Sequence, residues 1–196
     1  MSDNQAPSSM ESFIWDQYTV PSGGGGWSKS DWSAIRSCNY FLKEYPSVQG
    51  DAATINRSVA EILFFKSFFY YQKIKQFGDV PWLSEVLQTN SEDLMAARDS
   101  RKLVMDSIIK DLDFAVQNLP DESNEDRLTK YAALAFKSRA CLFEGTYRKY
   151  HNLGDHEHML REAVSAAEAI ISSAKFSVYS AGDPSADYYN LFSMDE

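Results

Sequence analysis

INRSVAEILFFKSFFYYQKIKQFGDVPW, residues Ile55–Trp82, is the stretch that decides the fold. Its apolar residues Ile55, Val59, Ile62, Leu63, Phe65, Phe68, Phe69, Ile74 and Phe77 are mostly three or four apart. That spacing stacks them along one side of a helix. Phe64, Tyr70 and Tyr71 widen the stripe until the helix is apolar on more than one side, and such a helix is expected to lie buried between neighbours. At a rise of ~1.5 Å per residue it is about 34 Å long. Gly78 can take the left-handed position past a helix end without a Cβ clash, and Pro81 cannot continue the hydrogen-bond ladder. Lys73 and Lys75 fall near the negative end of the helix dipole. The stretch is therefore a central helix with a firm stop, onto which other helices pack.

Working outward, the chain spells further helices with their own punctuation. Ser30 or Asp31 can cap a helix over roughly Asp31–Tyr45, in which Trp32, Ile35, Cys38, Asn39 and Leu42 share a face and which Pro46 ends. Paired with the central helix it makes a helical hairpin. Ser84–Arg98 is irregular, with a short turn around Ser91–Ala97. Asp99 or Ser100 caps a helix to about Leu119 with a stripe of Val104, Ile108, Leu112, Ala115 and Leu119, closed by Pro120. Asp121–Asp126 is an acidic loop without the alternating ligands and central glycine of a calcium loop. Thr129 caps an alanine-rich helix to about Tyr150, whose small residues let a neighbour approach closely. A last helix is expected near Glu157–Ser173, packed through Leu160, Ala163, Ala167, Ile170 and Ile171, followed by a short extended piece at Phe176–Tyr179 and an aromatic segment at Asp187–Phe192. The fold class expected is all-α: tetratricopeptide-like helical hairpins packed around a central long helix, with long irregular loops. Residues 1–30 form an irregular segment and residues 31–196 the helical domain.

The bulk composition excludes several function classes. In 196 residues, 44% are hydrophobic and 24% charged, enough apolar material for a packed core. The net charge of −9 offers no basic surface to displace phosphate counterions, so nucleic acid is not an expected partner, nor is an anionic lipid surface. Every apolar stretch is broken by Lys, Glu or Gln well short of a membrane span of about 18 residues. Met1–Ser12 lacks the hydrophobic segment of a signal peptide. Cys38 and Cys141 both fall in expected helices as small buried hydrophobes; two cysteines make no disulfide framework. There is no glycine-rich phosphate loop and no nucleophile elbow. His156 and His158 are two apart and diverge on a helix, whereas a zinc pair needs a separation of four. No metal, cofactor or catalytic constellation stands out from these residues.

The segment Met1–Ser30 is rich in Ser, Gly, Pro and Asn and holds four consecutive glycines, Gly23–Gly26, yet it carries Phe13, Trp15, Tyr18 and Trp27. Large aromatics in a polar loop either plug into a core or are displayed for a ligand.

The ending Phe-Gly-Asp-Val-Pro after a Glu-containing aromatic helix resembles the signature of the SusD/RagB family of nutrient-binding lipoproteins. Three further segments match in order: Arg98–Pro120, with an Arg-rich start, Asp-Leu-x-x-Ala centre and Leu-Pro stop; Arg127–Tyr150, alanine-rich with an internal Lys-x-Arg; and Ala167–Tyr179 followed by YYNLF. The spacing of Trp32, Ile35 and Asn39 matches the family's early helix. Lys66 stands where the family usually has arginine, a loss of bidentate hydrogen bonding. The family is also longer, so the chain corresponds to its N-terminal portion. The resemblance implies a surface-exposed lipoprotein of the outer membrane, held only by a lipid anchor that this sequence lacks. It implies capture of a glycan, or in some relatives a peptide, and delivery to a SusC-like TonB-dependent transporter without catalysis or cofactor. In starch-binding members the ligand aromatics come from the loop before the first helix, which nominates Trp15, Tyr18 and Trp27. Two other functions are compatible with the sequence: a helical scaffold for protein partners alone, and an all-α glycoside hydrolase drawing on the abundant Asp and Glu.

Overall fold

A computed structural model of the chain describes residues 14–19, 25–122 and 127–193. Phe13, Gly23, Gly24 and the end of the acidic loop, residues 123–126, lie outside them. The chain forms two compact units, residues 1–33 and 34–196. The α-helices are α1 (Ser33–Glu44), α2 (Ala52–Phe77), α3 (Arg101–Asn118), α4 (Lys130–Tyr150), α5 (His156–Ser172) and α6 (Asp187–Ser193).

The second unit is built on α2. Asp51 starts it, its carboxylate accepting from the Thr54 N–H at 2.9 Å, so the helix begins before Ile55. At the other end Gly78 has φ +71°, a value that disfavours any side chain. Its N–H donates to the Ile74 carbonyl at 3.0 Å. The chain then folds back. The Tyr70 hydroxyl accepts from the Leu83 N–H at 2.7 Å and donates to the Pro81 carbonyl at 3.3 Å. Val80 pairs with Asp99 in an isolated antiparallel bridge, and the Asp99 carboxylate accepts from the Trp82 N–H at 2.7 Å. Asp79 accepts from the Arg101 N–H at 2.8 Å, so it satisfies one of the orphan donors at the start of α3.

The contacts fix the helix directions. Between α2 and α3, the Arg101 guanidinium donates to the Ile74 carbonyl, the Ser67 hydroxyl donates to the Ile108 carbonyl, and Ala60 packs with Ala115 and Leu119. Residue numbers rise on one helix as they fall on the other, so the pair is antiparallel. The same holds for α3 and α4, through Arg101 with Glu144, Ile109 with Cys141, and Asp113 with Lys137. It holds again for α4 and α5, through Ser138 with Ala163 and Leu134 with Ala166. These successive hairpins are the tetratricopeptide-like arrangement that the helix pattern predicts, and α2, α3, α4 and α5 pack each on the next. Ala60, Ala115 and Ala133 have no exposed surface, which is how the backbones come so near.

α1 tethers the irregular segment that follows α2. The buried Asn39 amide of α1 donates to the Leu83 and Glu85 carbonyls at 2.8 and 3.2 Å, and Arg36 donates to the Leu87 carbonyl at 2.7 Å. Carbonyls in an irregular segment lack ladder partners, and side-chain donors on α1 supply them. One expectation is corrected: α2 is not buried all round. Phe65 and Phe68 are 44% and 38% exposed, while Lys66 and Lys73 are buried. The lysines lie inside because their ammonium groups meet aromatic faces: Lys66 Nζ is 4.5 Å from the Trp82 ring centroid and Lys73 Nζ 5.9 Å from that of Phe77. Phe176–Tyr179, the expected short extended piece, lies outside the helices, and Phe176 packs edge-on against Tyr131 at 5.2 Å.

Burial of Lys66 has a counterpart on α3. Burial lowers the Lys66 pKa, and pushes that of Asp111 up to about 6 against the pull of Lys66. Asp111 Oδ2 has no hydrogen-bond partner; a lysine brings a single nitrogen where an arginine fork brings several. Because the folded-state pKa of Asp111 lies above the unfolded value near 3.9, folding binds a proton there. Its contribution is fully present below about pH 4 and is lost as pH rises through about 6. Urea titrations at pH 5 and pH 7.5 are expected to show the chain more stable at pH 5 by about 1 kcal/mol. Asp111→Asn is expected to abolish that difference; an unchanged difference refutes the assignment. Below pH 4 the trend reverses, because Glu162, held down by the Lys137 hydrogen bond, and Asp187, held down by the Ala181 N–H, lose their contributions.

Candidate functional site

The aromatics singled out from the sequence lie in the first unit. Ile14–Asp16 form a turn in which Asp16 has φ +55°, a conformation that aspartate tolerates better than most residues. Trp15 is 61% and Tyr18 57% exposed. A large apolar ring left in water carries no folding benefit, and a ring face is what the C–H side of a sugar stacks on. Trp27 differs. It is half-buried and meets Trp32 edge to face, with centroids 5.1 Å apart and planes at 86°. Just after it, the Ser28 N–H donates to the Asp31 carboxylate at 2.8 Å, and the Ser28 hydroxyl donates to the same oxygen. This capping box starts the short 3-10 helix Lys29–Trp32. Trp27 is thus held by an ordered turn, while Trp15 and Tyr18 keep much of their surface in water.

The chemistry available elsewhere is structural. Both cysteines are free and buried, and burial pushes the Cys141 thiol up to about 12, far from a reactive thiolate. His151 packs on the Tyr147 ring at 4.2 Å. Among the described residues no group of three or more His, Cys, Asp or Glu is placed to hold a metal ion. Among them, too, no helix is long and apolar enough to cross a membrane.

Two features were not visible in the sequence. One is a buried ion cluster. Glu144 is 1% exposed and accepts from Arg101 Nε and Arg148 Nε, both at 2.8 Å. Arg148 also donates to Asp155 at 3.2 Å and Asp106 at 3.5 Å, and the Arg101 guanidinium lies 3.8 Å from the Tyr147 centroid. The other is an open aromatic groove between α2 and α4. Phe68, 38% exposed, belongs to a phenylalanine run on α2 that from sequence is first read as core.

The fold is an all-α stack of antiparallel helical hairpins. Residues 2–142 match the model of a SusD-like family described as starch-binding and associating with the outer membrane. The chain belongs to this SusD-like family. SusD-like protein P2 of Formosa agariphila is 26% identical over 119 residues, 60% of this chain and 24% of that protein. A SusD superfamily protein from Parabacteroides distasonis superposes with a TM-score of 0.70 at 25% identity, covering 86% of this chain and 36% of that one. A structure described as a laminarin binding SusD-like protein has a TM-score of 0.58 at 25% identity, covering 72% of this chain and 28% of that one. The chain spans about a quarter of the length of the curated relatives it matches.

Proposed function

We propose that this chain is part of a cell-surface glycan-binding protein that captures oligosaccharide, holds it without converting it, and delivers it to a SusC-like TonB-dependent transporter. The protein would be tethered at the outer membrane by lipid. Residues 1–30 would supply ligand contacts and residues 31–196 the helical scaffold. The observation that carries the reading is the exposure of Trp15 and Tyr18 within a few residues of each other in a chain of this family. The negative net charge suits a neutral ligand, whose recognition rests on ring stacking and hydroxyl hydrogen bonds. The laminarin-binding relative supports a glucan as the first ligand to try. Trp27, packed edge to face against Trp32, would be the third ring of the contact set.

The test is calorimetry on the longer protein that the relatives' length leads us to expect, against laminarin, starch oligosaccharides and short peptides. A glycan is expected to bind, and Trp15→Ala or Tyr18→Ala to weaken it about tenfold, the loss of one stacking contact of ~1.4 kcal/mol. A peptide as the sole ligand would move the reading to peptide capture. Binding of none, or glycan binding untouched by both substitutions, would overturn the site.

A further inference from the structure

α2 and α4 both run antiparallel to α3 and so parallel to each other, and between them lies an open groove of about 470 Å³. Phe68, Tyr71 and Lys75 line it from α2, and Phe136, Arg139 and Leu142 from α4. The floor is a set of interlocked rings: Phe136 lies 5.7 Å from Phe68 and 5.4 Å from Tyr71. Phe68 remains 38% and Leu142 53% exposed, and Phe65, one turn earlier on α2, 44%. Isolated apolar residues on a surface need no account, but a contiguous apolar strip along two helices marks an interaction site.

The charges at this groove point the same way. The chain has 28 acidic and 19 basic residues, yet the groove displays two cations, Lys75 and Arg139. Among the described residues neither has a carboxylate within 4.0 Å. Lys75 Nζ rests 4.9 Å from the Tyr71 centroid. The α2 wall also carries Gln72, and the α4 wall Phe143. A helix with one apolar stripe fits this groove, because two parallel helices leave a trough into which the side chains of a third can interdigitate. Acidic residues flanking that stripe would answer the two cations and set the register.

We propose that the α2/α4 groove docks an amphipathic helix of a protein partner, apolar on the face it buries and acidic along the rims. The proposal stands or falls independently of glycan capture.

The test is a displayed library of 18-residue helices with leucine at positions i, i+3, i+4 and i+7 and Glu, Lys or Gln randomised beside them, selected on this chain. Glu is expected to be enriched at the flanks. The selected peptide is expected to bind at least tenfold more weakly to Lys75→Glu/Arg139→Glu, and to recover when its Glu are exchanged for Lys. Leu142→Ser, at an exposed position, is expected to weaken binding with the circular dichroism of the chain unchanged. No enriched helix, flanks without acid preference, or equal binding by the charge-reversed chain would each overturn the proposal. So would polygalacturonate binding that the charge reversal abolishes while no helix binds, since that outcome assigns the groove to an acidic glycan.

Discussion

Glu144→Leu is expected to cost about 3–5 kcal/mol of folding stability, the range found when one partner of a buried ion pair is removed. The reason is what it leaves behind. Arg101 and Arg148 are both buried and each directs its Nε–H at Glu144 from 2.8 Å. Without the carboxylate, Arg101 keeps the Ile74 carbonyl and the Tyr147 ring, and Arg148 keeps only the distant Asp155 and Asp106. Arg101 then lies buried without its carboxylate partner, and Arg148 leans on two carboxylates that are each 44% exposed. Urea denaturation followed by circular dichroism measures this directly. Glu144→Gln, which keeps shape and one acceptor, is expected to cost less. The triple replacement Arg101→Met/Glu144→Leu/Arg148→Met is expected to recover much of the loss, because the cluster's desolvation cost disappears with it. If Glu144→Leu changes stability by less than about 1 kcal/mol, the cluster is not what ties α3 to α4.

That cluster shows where reading the chain stopped short. The end of α2 and the start of α3 were legible because they depend on local chemistry: Gly78 and Ser100 act through neighbours at most four residues away. The central helix was legible as a helix, but not which side of it would face inward. Its buried side includes Lys66 and Lys73, and its exposed side Phe65 and Phe68. Composition cannot separate these, since the lysines are admitted by Trp82 and Phe77 rings brought in by tertiary structure. Glu144 and Arg148, four apart on α4, have the spacing of an ordinary solvated pair; only the arrival of Arg101 from α3 makes them an interior cluster. The internal Lys-x-Arg of α4 likewise splits. Lys137 bridges Asp113 and Glu162 at 2.6 Å each, tying α3, α4 and α5, while Arg139 turns to the groove. For the candidate site, residue type was readable and exposure was not. Trp15, Tyr18 and Trp27 look alike in sequence, and only coordinates separate the exposed pair from the ring leaning on Trp32.

Gly145→Val is expected to destabilise the chain by about 3 kcal/mol, the upper part of the usual range for overpacking. A Cβ at Gly145 would come within 2.8 Å of Leu160 Cγ and Cδ2 and 3.2 Å of the Leu160 backbone nitrogen. The leucine side chain can rotate away, but the backbone of α5 cannot, so α5 must move off α4. Gly145→Ala sets this clash against the ~1 kcal/mol of helix propensity that alanine gains over glycine, and is expected to be close to neutral. Leu160→Ala removes the two nearest atoms; in its background Gly145→Val is expected to cost distinctly less, a coupling read from a double-mutant cycle in urea. A valine variant as stable as the parent, or a cost unchanged by Leu160→Ala, would show that α4 and α5 do not meet at this glycine. The consequence extends beyond stability. α4 carries Lys137 and Ser138 toward α5 on one side and Phe136, Arg139 and Leu142 into the groove on another. Prising α5 away at Gly145 loosens the helix that holds half of the groove, so the valine variant is also expected to weaken binding of a selected acidic helix without any substitution in the groove itself.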